Sequence, residues 1–486
     1  MFISFSPKRL FLAAMLVGIA LYAAADTASL LVLYTNDIHD YVKPGPNNVG
    51  GLPYLAGYVA ARRAERGDVL LLDGGDIMEK GDMVAFKTKS RVTYEAIRKM
   101  GYAAGAVGNH DKTHGDEHLR ECGEIANMAL LSLNYLDKAG NQPFPASTVI
   151  EVNDITIGVI GMSRIRTSLK EEGERLAQEA KRLDKDVHLL VVTAHIGTME
   201  LTQLSAMAPE VDLFVGGHSH EVLQTPVVVP DTNAIIVQAG QYAQYMGHLE
   251  LAVDRHKKKI VWHDGTTVLM CHDTIAPDTE MLAWIEEQEQ LVSPEASEVV
   301  GRADTFINSN QMASLAAAAL KEYAQVDVAF CHAGRVMRSG VFEGDVDVNV
   351  LFRTGGQRGR DLLLFELTGA QIETYIAELI EQRRGRTDWA GFSANVEMDS
   401  DTRSWAANST LEPEKTYRVI MPQREWEDRF QRISRDHPRF QDFDENDMEN
   451  APFTFTQALA AYVKTITENG ETLNAHIDSL LEARAL

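Results

Sequence analysis

The sequence predicts a layered α/β protein with two domains. Short apolar runs with the length and composition of buried strands alternate with amphipathic stretches typical of helices. The chain has 486 residues, which is too long for a single ordinary core. Its hydrophobic fraction of 45% is normal for a globular protein. We therefore expect two separate cores, each built from alternating strands and helices.

Residues 1–25 have the pattern of a signal peptide. Lys8 and Arg9 precede an apolar stretch from Leu10 to Tyr22, and Ala23-Ala24-Ala25 is typical of a cleavage site. A membrane span needs about 20 apolar residues, so the stretch is short for one, and a retained anchor is the alternative. We expect a periplasmic or secreted protein with no stable membrane insertion after cleavage.

The net charge limits the classes of binding partner, and the cysteine count limits the number of disulfides. A net charge of −24 argues against nucleic-acid binding, because such binding needs Lys and Arg to neutralise phosphates. Cys122, Cys271 and Cys331 allow at most one disulfide within the chain, and three buried thiols are an equal alternative. We expect a monomer that binds a small molecule, although the sequence does not fix the oligomeric state.

Five apolar runs in the first half of the chain each end in residues that commonly bind metals. The runs are Leu30–Tyr34, Val69–Leu72, Ala103–Val107, Leu189–Val192 and Val211–Val215. The clusters that follow them are Asn36-Asp37-Ile38-His39, Gly74-Gly75-Asp76, Gly108-Asn109-His110-Asp111, Ala194-His195 and Gly216-Gly217-His218-Ser219-His220. Chemistry in α/β folds is found at the carboxyl ends of strands. The pattern therefore predicts one sheet whose strands deliver these side chains to a common edge.

Helices are predicted between most of these strands, and a second alternation follows. The helices of the first part are Leu52–Arg66, Thr93–Met100, Glu117–Met128 and Ser168–Leu183. An acidic helix over Thr279–Leu291 is the best candidate for a joining element. Later elements are helices at Gln311–Tyr323, Gly369–Gln382 and Phe453–Glu468 and strands at Val326–Phe330 and Asp361–Leu367. We expect a first domain over 26–270, a linker helix region over 271–295 and a second domain over 296–486.

This ordered set of motifs resembles the 5′-nucleotidase family of calcineurin-like metallophosphoesterases, of the bacterial secreted 5′-nucleotidase and UDP-sugar hydrolase type. Beyond the five clusters, the matching motifs are Gly50-Gly51-Leu52, Val159–Met162 and Gln238–Tyr242. The resemblance is strong from Leu30 to Asp264 and weak beyond. It implies a four-layer βαβ sandwich for the first domain and a smaller α/β domain of 5′-nucleotidase type, which binds substrate, for the second.

The resemblance also implies two divalent metal ions. One ion is held by Asp37, His39, Asp76 and His220, and the other by Asp76, Asn109, His195 and His218, so that Asp76 bridges them. Each residue alone has an ordinary structural explanation, but all seven positions carry the expected residue type. Mixed oxygen and nitrogen ligands suit Mn, Zn, Mg, Co or Fe, and the sequence does not choose among them. The implied reaction is in-line attack of a metal-bridging hydroxide on phosphorus.

His110 has the position at which the family stabilises the transition state or protonates the leaving oxygen. The family usually has an Asp three residues later that orients this histidine, whereas Thr113 stands there in this chain. A hydroxyl cannot stabilise an imidazolium as a carboxylate does. We therefore expect Asp111 or Asp116 to substitute, and count Asp111 with His110 as catalytic; the alternative is an unassisted histidine.

The turn His332–Arg338 corresponds to the phosphate-binding turn of the family's second domain. The resemblance implies that Gly334, Arg335 and Arg338 bind substrate. Guanidinium groups bind phosphate with two hydrogen bonds and stay charged, which suits this role.

Recognition of a nucleobase has weaker support. The family's late base-binding loop is absent after Tyr417–Met421, and Phe392, Trp426 and Phe430 are more easily explained as core aromatics than as stacking platforms. We expect a secreted phosphohydrolase that acts in nucleotide breakdown, on nucleotides or related phosphoesters. The alternatives are a hydrolase of the same fold with a non-nucleotide substrate, such as a thiosulfohydrolase, or a catalytically impaired binding protein.

Overall fold

The computed structural model describes residues 27–355, 361–381, 387–392, 394–398 and 405–484. The predicted signal peptide lies outside these residues. Two compact units are present: the first contains the described residues up to Gly81 and Ala85–Glu287, and the second contains Asp82–Val84 and the residues from Gln288 onward. Across the described ranges, no helix is both long enough and apolar enough to span a bilayer.

Strands and helices occur along the whole described chain. The strands are β1 (Thr27–Thr35), β2 (Leu70–Asp73), β3 (Ala104–Ala106), β4 (Ala129–Leu131), β5 (Ser147–Val152), β6 (Ile155–Met162), β7 (Leu189–Ala194), β8 (Leu213–Val215), β9 (Val227–Val228), β10 (Ile235–Val237), β11 (Tyr245–Asp254), β12 (Lys259–Leu269), β13 (Val299–Ala303), β14 (Val328–His332), β15 (Gly344–Asp347), β16 (Leu362–Thr368), β17 (Thr387–Ala390), β18 (Ala394–Met398), β19 (Trp405–Ser409), β20 (Thr416–Pro422) and β21 (Glu449–Asn450). The helices are α1 (Leu52–Arg66), α2 (Met83–Lys87), α3 (Arg91–Met100), α4 (Asp116–Ala126), α5 (Leu169–Leu183), α6 (Thr198–Met207), α7 (Thr279–Val292), α8 (Ser309–Ala324), α9 (Val348–Gly355), α10 (Gly369–Glu381), α11 (Gln423–Glu425), α12 (Gln431–Asp436), α13 (Phe455–Glu468) and α14 (Leu473–Arg484).

The first unit is a sandwich of two six-stranded sheets. Their strand orders are β12-β11-β1-β2-β3-β4 and β5-β6-β7-β8-β10-β9. Alternate residues of both sheets, among them Val32, Leu72, Val159 and Val191, are buried together in one apolar core. The five ligand-bearing runs are strands, as predicted, but they are divided between the two sheets. The single sheet expected from the strand pattern is therefore corrected to two sheets, as the family resemblance implied.

The inner strands are paired in a way that brings the ligand clusters to the same end of each sheet. β1, β2 and β3 run parallel to one another, as do β6, β7, β8 and β10. Parallel strands present their carboxyl ends at one edge, where connecting loops can carry functional groups. The outer face of the second sheet is covered by α5 and α6, whose apolar side chains are buried with those of β6 to β8.

The second unit is built on a five-stranded sheet in the order β17-β14-β20-β16-β21. Its core includes Phe392, Trp426 and Phe430, which are at most 9% exposed, so these rings are core residues as the sequence favoured. The predicted helices of this unit are present. The stretch Gln423–Asn450, for which the sequence predicts no regular element, contains short helices, turns and the two-residue strand β21. Cys122, Cys271 and Cys331 are all free thiols, which removes the disulfide alternative.

Candidate metal centre

The loops after the ligand-bearing strands are connected by backbone hydrogen bonds. The Asp37 N–H donates to the Gly75 carbonyl at 2.8 Å, and the His39 N–H donates to the Asp76 carbonyl at 2.9 Å. Gly108 lies so close to the second loop that a Cβ there would stand 2.1 Å from Asp76 Oδ1. The glycine of the Gly-Asn motif is therefore required by the approach of two loops.

Five of the predicted ligands have left-handed backbone conformations. Their φ angles are 52° at Asp37, 52° at His39, 60° at Asp76, 70° at His218 and 59° at His220. Residues with a Cβ adopt such angles at an energetic cost, of order 1–3 kcal/mol each, and they concentrate at functional sites. The chain is therefore strained where the ligand side chains converge.

The ligand atoms form two groups whose members lie within 4.8 Å of one another. The groups are Asp37, His39 and His220, and Asp37, Asp76 and His195. Asp37 is common to both groups. Asp76 Oδ2 lies 2.9 Å from His195 Nε2 and 3.9 Å from His39 Nε2, so it faces one histidine of each group. Either group could hold a cation.

Three buried polar atoms at this site have no hydrogen-bond partner of suitable geometry. They are Asp37 Oδ1, Asn109 Oδ1 and His195 Nε2. A buried polar atom left unsatisfied costs about 1–3 kcal/mol, so such atoms are rare unless a ligand binds them. Carboxylate and amide oxygens together with imidazole nitrogens are suitable donors for a divalent transition metal or Mg²⁺. The residues present therefore fit the divalent cations that the sequence predicts.

The electrostatics of the site favour ionised carboxylates. Burial alone would raise the pKa of Asp37, but the nearby imidazoles of His220, His39 and His195 outweigh it and hold this pKa well below its usual value. The pKa of Asp76 is also lowered, because His195, His39 and His110 outweigh the effect of burial. Burial lowers the pKa of His39, which favours the neutral imidazole that ligates metals.

The structure places the two other predicted ligands beside these groups. The Asn109 side chain contributes one of the unsatisfied oxygens. The His218 ring centroid lies 5.0 Å from that of His195, and its backbone N–H donates to Asp37 Oδ2 at 2.9 Å. The seven predicted ligand positions therefore share one site in the first unit, and their roles as ligands stay predictions.

Polar residues hold Asp37 and the loop that follows Asp76 in place. The Asn36 amide donates to Asp37 Oδ2 at 2.8 Å and to the Gly240 carbonyl at 2.6 Å. The carboxylate of buried Asp40 accepts hydrogen bonds from the Glu79 N–H and the Ser90 hydroxyl, both at 2.7 Å. Such partners orient metal ligands and tune their basicity.

The position of Asp111 does not support the orienting role predicted for it. Its Oδ1 accepts the N–H groups of Ile77 and Met78, and its Oδ2 accepts those of Asp76 and Gly108. Both carboxylate oxygens are therefore used to hold the backbone of the loop that carries Asp76. The second candidate, Asp116, accepts the Tyr135 hydroxyl at 2.9 Å.

His110 instead contacts a residue that the sequence did not identify. Its Nδ1 lies 2.5 Å from Glu79 Oε2, and the Thr113 hydroxyl donates to the same oxygen at 3.0 Å. Glu79 and Lys80, whose Nζ lies 2.9 Å from His39 Nε2, come from the loop after Asp76. Both have positive φ angles, 71° and 84°, which turn the loop back toward the histidines. In the sequence, the only indication that Glu79 and Lys80 belong to the site is their position three and four residues after the predicted ligand Asp76.

The predicted substrate-binding turn lies in the second unit, directly after β14. Gly334 has a φ of +90°, and its N–H donates to the Met337 carbonyl at 2.6 Å. The Arg335 side chain is 60% exposed and lies 3.9 Å from Asp428. The Arg338 side chain is half-buried, and its N–H donates to the Thr354 carbonyl at 2.7 Å. The turn presents positive charge, and its binding role stays a prediction.

Two family models match the chain, one for each unit. Residues 30–222 match the calcineurin-like phosphoesterase model, and residues 293–423 match the model of the 5′-nucleotidase C-terminal domain. The first range contains all seven predicted metal ligands together with His110 and Glu79. The second contains the turn with Gly334, Arg335 and Arg338.

Known proteins are similar to this chain over most of its length. A 5′-nucleotidase of Vibrio vulnificus is 25% identical over 475 residues, covering 82% of this chain and 85% of the relative. The crystal structure of a 5′-nucleotidase precursor from Thermus thermophilus superposes with a TM-score of 0.68 at 20% identity, covering 90% of this chain and 97% of that one. The sulfate thiohydrolase SoxB of the same species superposes with a TM-score of 0.65 at 16% identity, covering 90% and 94%.

The structural similarities show that the fold is shared. The family models and the sequence relatives are the basis for assigning the family and the enzyme class. The two matched models occur in the same order as the two units of the structure. Members of this family use divalent metals, and the first unit contains Asp and His groups that could bind them. The chain therefore belongs to the 5′-nucleotidase family of calcineurin-like phosphoesterases and is a metal-dependent phosphoester hydrolase.

Proposed function

We propose that this protein releases phosphate from nucleotides or related small phosphomonoesters. The observation that carries the proposal is a pair of ligand-atom groups formed by Asp37, His39, Asp76, His195 and His220. Three buried polar atoms at this site lack a hydrogen bond of suitable geometry, which supports it. The names of the relatives support the substrate class, since several are 5′-nucleotidases. We also propose export, on the pattern of residues 1–25; the amino terminus of the protein recovered from its host, near Asp26, checks this.

The metal roles that we propose follow the two sets given by the sequence. Asp37, His39 and His220 would hold one ion, Asn109, His195 and His218 the other, and Asp76 would bind both. The position of Asp76 Oδ2 between His39 and His195 supports this sharing. Divalent ions in such a site supply positive charge to the phosphoryl oxygens and lower the pKa of an attacking water.

The remaining chemistry belongs to residues of the chain. His110 Nε2 lies 4.0 Å from Asp76 Oδ2, so this side of the ring faces the ligand groups. We propose that His110 donates a proton or a charged hydrogen bond to the leaving oxygen, a contribution of about 10²–10⁴ in rate for a general acid. The exposed arginine turn of the second unit is proposed to bind the anionic or nucleoside part of the substrate.

Wild-type protein and two variants, tested on a substrate panel with metal analysis, check this proposal. Wild type should contain about two ions per chain and hydrolyse an aryl phosphate and nucleoside 5′-monophosphates. Asp76→Asn should lose both properties, whereas the exposed control Asp68→Asn should keep them. Arg338→Ala should raise KM for nucleotides much more than for the aryl phosphate.

The outcomes of the panel separate the alternatives. Turnover of thiosulfate esters without turnover of any phosphoester would replace the proposed substrate class with that of a thiosulfohydrolase. Metal binding without turnover of any substrate would leave a binding protein. Full activity in metal-free protein or in Asp76→Asn would contradict the metal site itself.

A further inference from the structure

We propose that Glu79 is the positioning residue that orients His110, in place of the carboxylate that the chain lacks at Thr113. The inference rests on the proposed function of His110 and deepens it. It assigns a role to a residue that no sequence motif indicates, on a loop separate from the Gly-Asn-His segment. The carboxylate proposed to orient the histidine comes from the loop of Asp76 rather than from the histidine's own loop.

The two nitrogens of the His110 ring have different environments. Nδ1 lies 2.5 Å from Glu79 Oε2, while Nε2 faces Asp76 Oδ2 at 4.0 Å. A carboxylate that accepts the Nδ1–H fixes both the tautomer and the direction of the ring. The bond to Glu79 therefore keeps Nε2 directed at the metal-ligand groups.

Two hydrogen bonds, besides the contact with His110, hold Glu79 in place. Its N–H donates to buried Asp40 at 2.7 Å, and the Thr113 hydroxyl donates to its Oε2 at 3.0 Å. The side chain is only 8% exposed, and the left-handed backbone at Glu79 turns it toward His110. Thr113 thus donates to the carboxylate proposed to orient His110, a role for which a hydroxyl is suitable.

The two carboxylates nearest to His110 in sequence form hydrogen bonds with other groups. Asp111 binds four backbone N–H groups, and Asp116 binds the Tyr135 hydroxyl with both oxygens. Glu79 is the carboxylate that the described structure places on His110 Nδ1. In the reaction, the Nε2–H proton passes to the leaving oxygen as its bond to phosphorus breaks, and Glu79 keeps its place on the Nδ1–H.

Glu79→Gln tests the role through properties that a merely structural residue would not affect. We expect kcat to fall about 10²-fold, within the range for a general acid, with KM and metal content unchanged. The loss should be greater for an alkyl or nucleoside phosphate than for an aryl phosphate, because the poorer leaving group needs the proton more. Glu117→Gln, an exposed glutamate on the adjacent helix, is the matched control and should behave as wild type.

Moving the carboxylate back to the histidine's own loop provides a reciprocal test. In the Glu79→Gln background, Thr113→Asp should restore kcat by about 10-fold or more, within the range for a general acid. In the wild-type background the same change should give no gain, since it sets a second carboxylate beside Glu79. Lack of rescue, or a Glu79→Gln variant with wild-type kcat or with lost metal, would overturn the assignment.

Nitrogen-15 NMR of histidine-labelled protein tests the contact between Glu79 and His110 independently of catalytic activity. His110 in wild type should show a protonated, strongly hydrogen-bonded Nδ1, and Glu79→Gln should lose this signature while the control keeps it. If wild type turns over no substrate but shows the NMR signature, the proposed function fails and the Glu79 contact stands. If activity is present and the signature is absent, the Glu79 inference alone fails.

Discussion

Asp76 illustrates how far single residues could be predicted. Its type and its place after an apolar run identify it as a ligand candidate, because few other functions require that pattern. The sequence does not show that its φ is +60° or that Gly108 must lack a side chain to make room for its carboxylate. Both depend on how separate loops approach each other, and a sequence pattern along one loop carries no such information.

Asp111 gives a prediction at this scale. Asp111→Asn replaces one carboxylate oxygen with an NH₂ group, which cannot accept from the N–H groups that now bind there. The Asp76 loop should lose its fixed position, and metal affinity should fall about 10–100-fold, as for other outer-shell partners. Competition with a metal indicator measures this.

The neighbouring carboxylate provides the control for that measurement. Asp116→Asn changes a bond to Tyr135 at the first residue of α4 and should leave metal affinity unchanged. Equal loss in both variants would mean that Asp111 acts through general stability rather than through the ligand loop.

At the scale of elements, the bounds of a helix are predicted accurately wherever apolar residues recur regularly over a long stretch. α1 has the predicted bounds, and α7 and α13 differ from prediction by only one or two residues. The division of the ligand-bearing strands between two sheets was not visible in strand composition, because all of them are buried on both faces and read alike. The segment after β20 resisted assignment because it consists of short helical turns without a sustained period.

Glu425 in α11 yields a prediction about pH and stability. This buried carboxyl accepts the Tyr375 hydroxyl at 3.1 Å, and burial raises its pKa to about 7 from 4.5. Between those values the folded protein keeps a proton that the unfolded chain releases, so stability falls as pH rises from about 4.5 to about 7. Glu425→Gln cannot ionise and should not lose that stability.

Thermal unfolding measured across and above this pH window checks the sign. The melting temperature of Glu425→Gln relative to wild type should rise with pH within the window and level off above it. Glu381→Gln, exposed at the end of α10, is the control and should follow wild type at each pH. A pH-independent difference for Glu425→Gln would contradict the raised pKa.

At the scale of the whole molecule, the ligands connect parts of the first unit that are distant in sequence. Asp37 and Asp76 follow strands of one sheet, while His195 and His220 follow strands of the other. Ions that bind only the folded protein stabilise it, by about 2.7 kcal/mol at 100 times the dissociation constant. The stabilisation should fall on the unit that contains the ligands.

Hydrogen exchange with and without a chelator tests this expectation. Removing metal should speed exchange in β1, β2, β7 and β8 and leave the β14 and β20 region of the second unit unchanged. Asp76→Asn protein, which lacks the proposed shared ligand, should show no further change with the chelator. Uniform loss of protection in both units would contradict a site confined to the first.

The position of β1 has a consequence for synthesis of the protein. β1 lies between β2 and β11, and it pairs with β11 along nearly its whole length, from Thr27 to Tyr34. β1 can therefore pair with β11 only after the chain has been made as far as Asp254, a pairing of high sequence separation. Asp37 and His39 leave the ribosome early, but the sheet edge that carries them is complete only when the unit is almost finished. We therefore expect metal loading to come late in folding, and a truncated first unit that ends before β11 should remain unloaded.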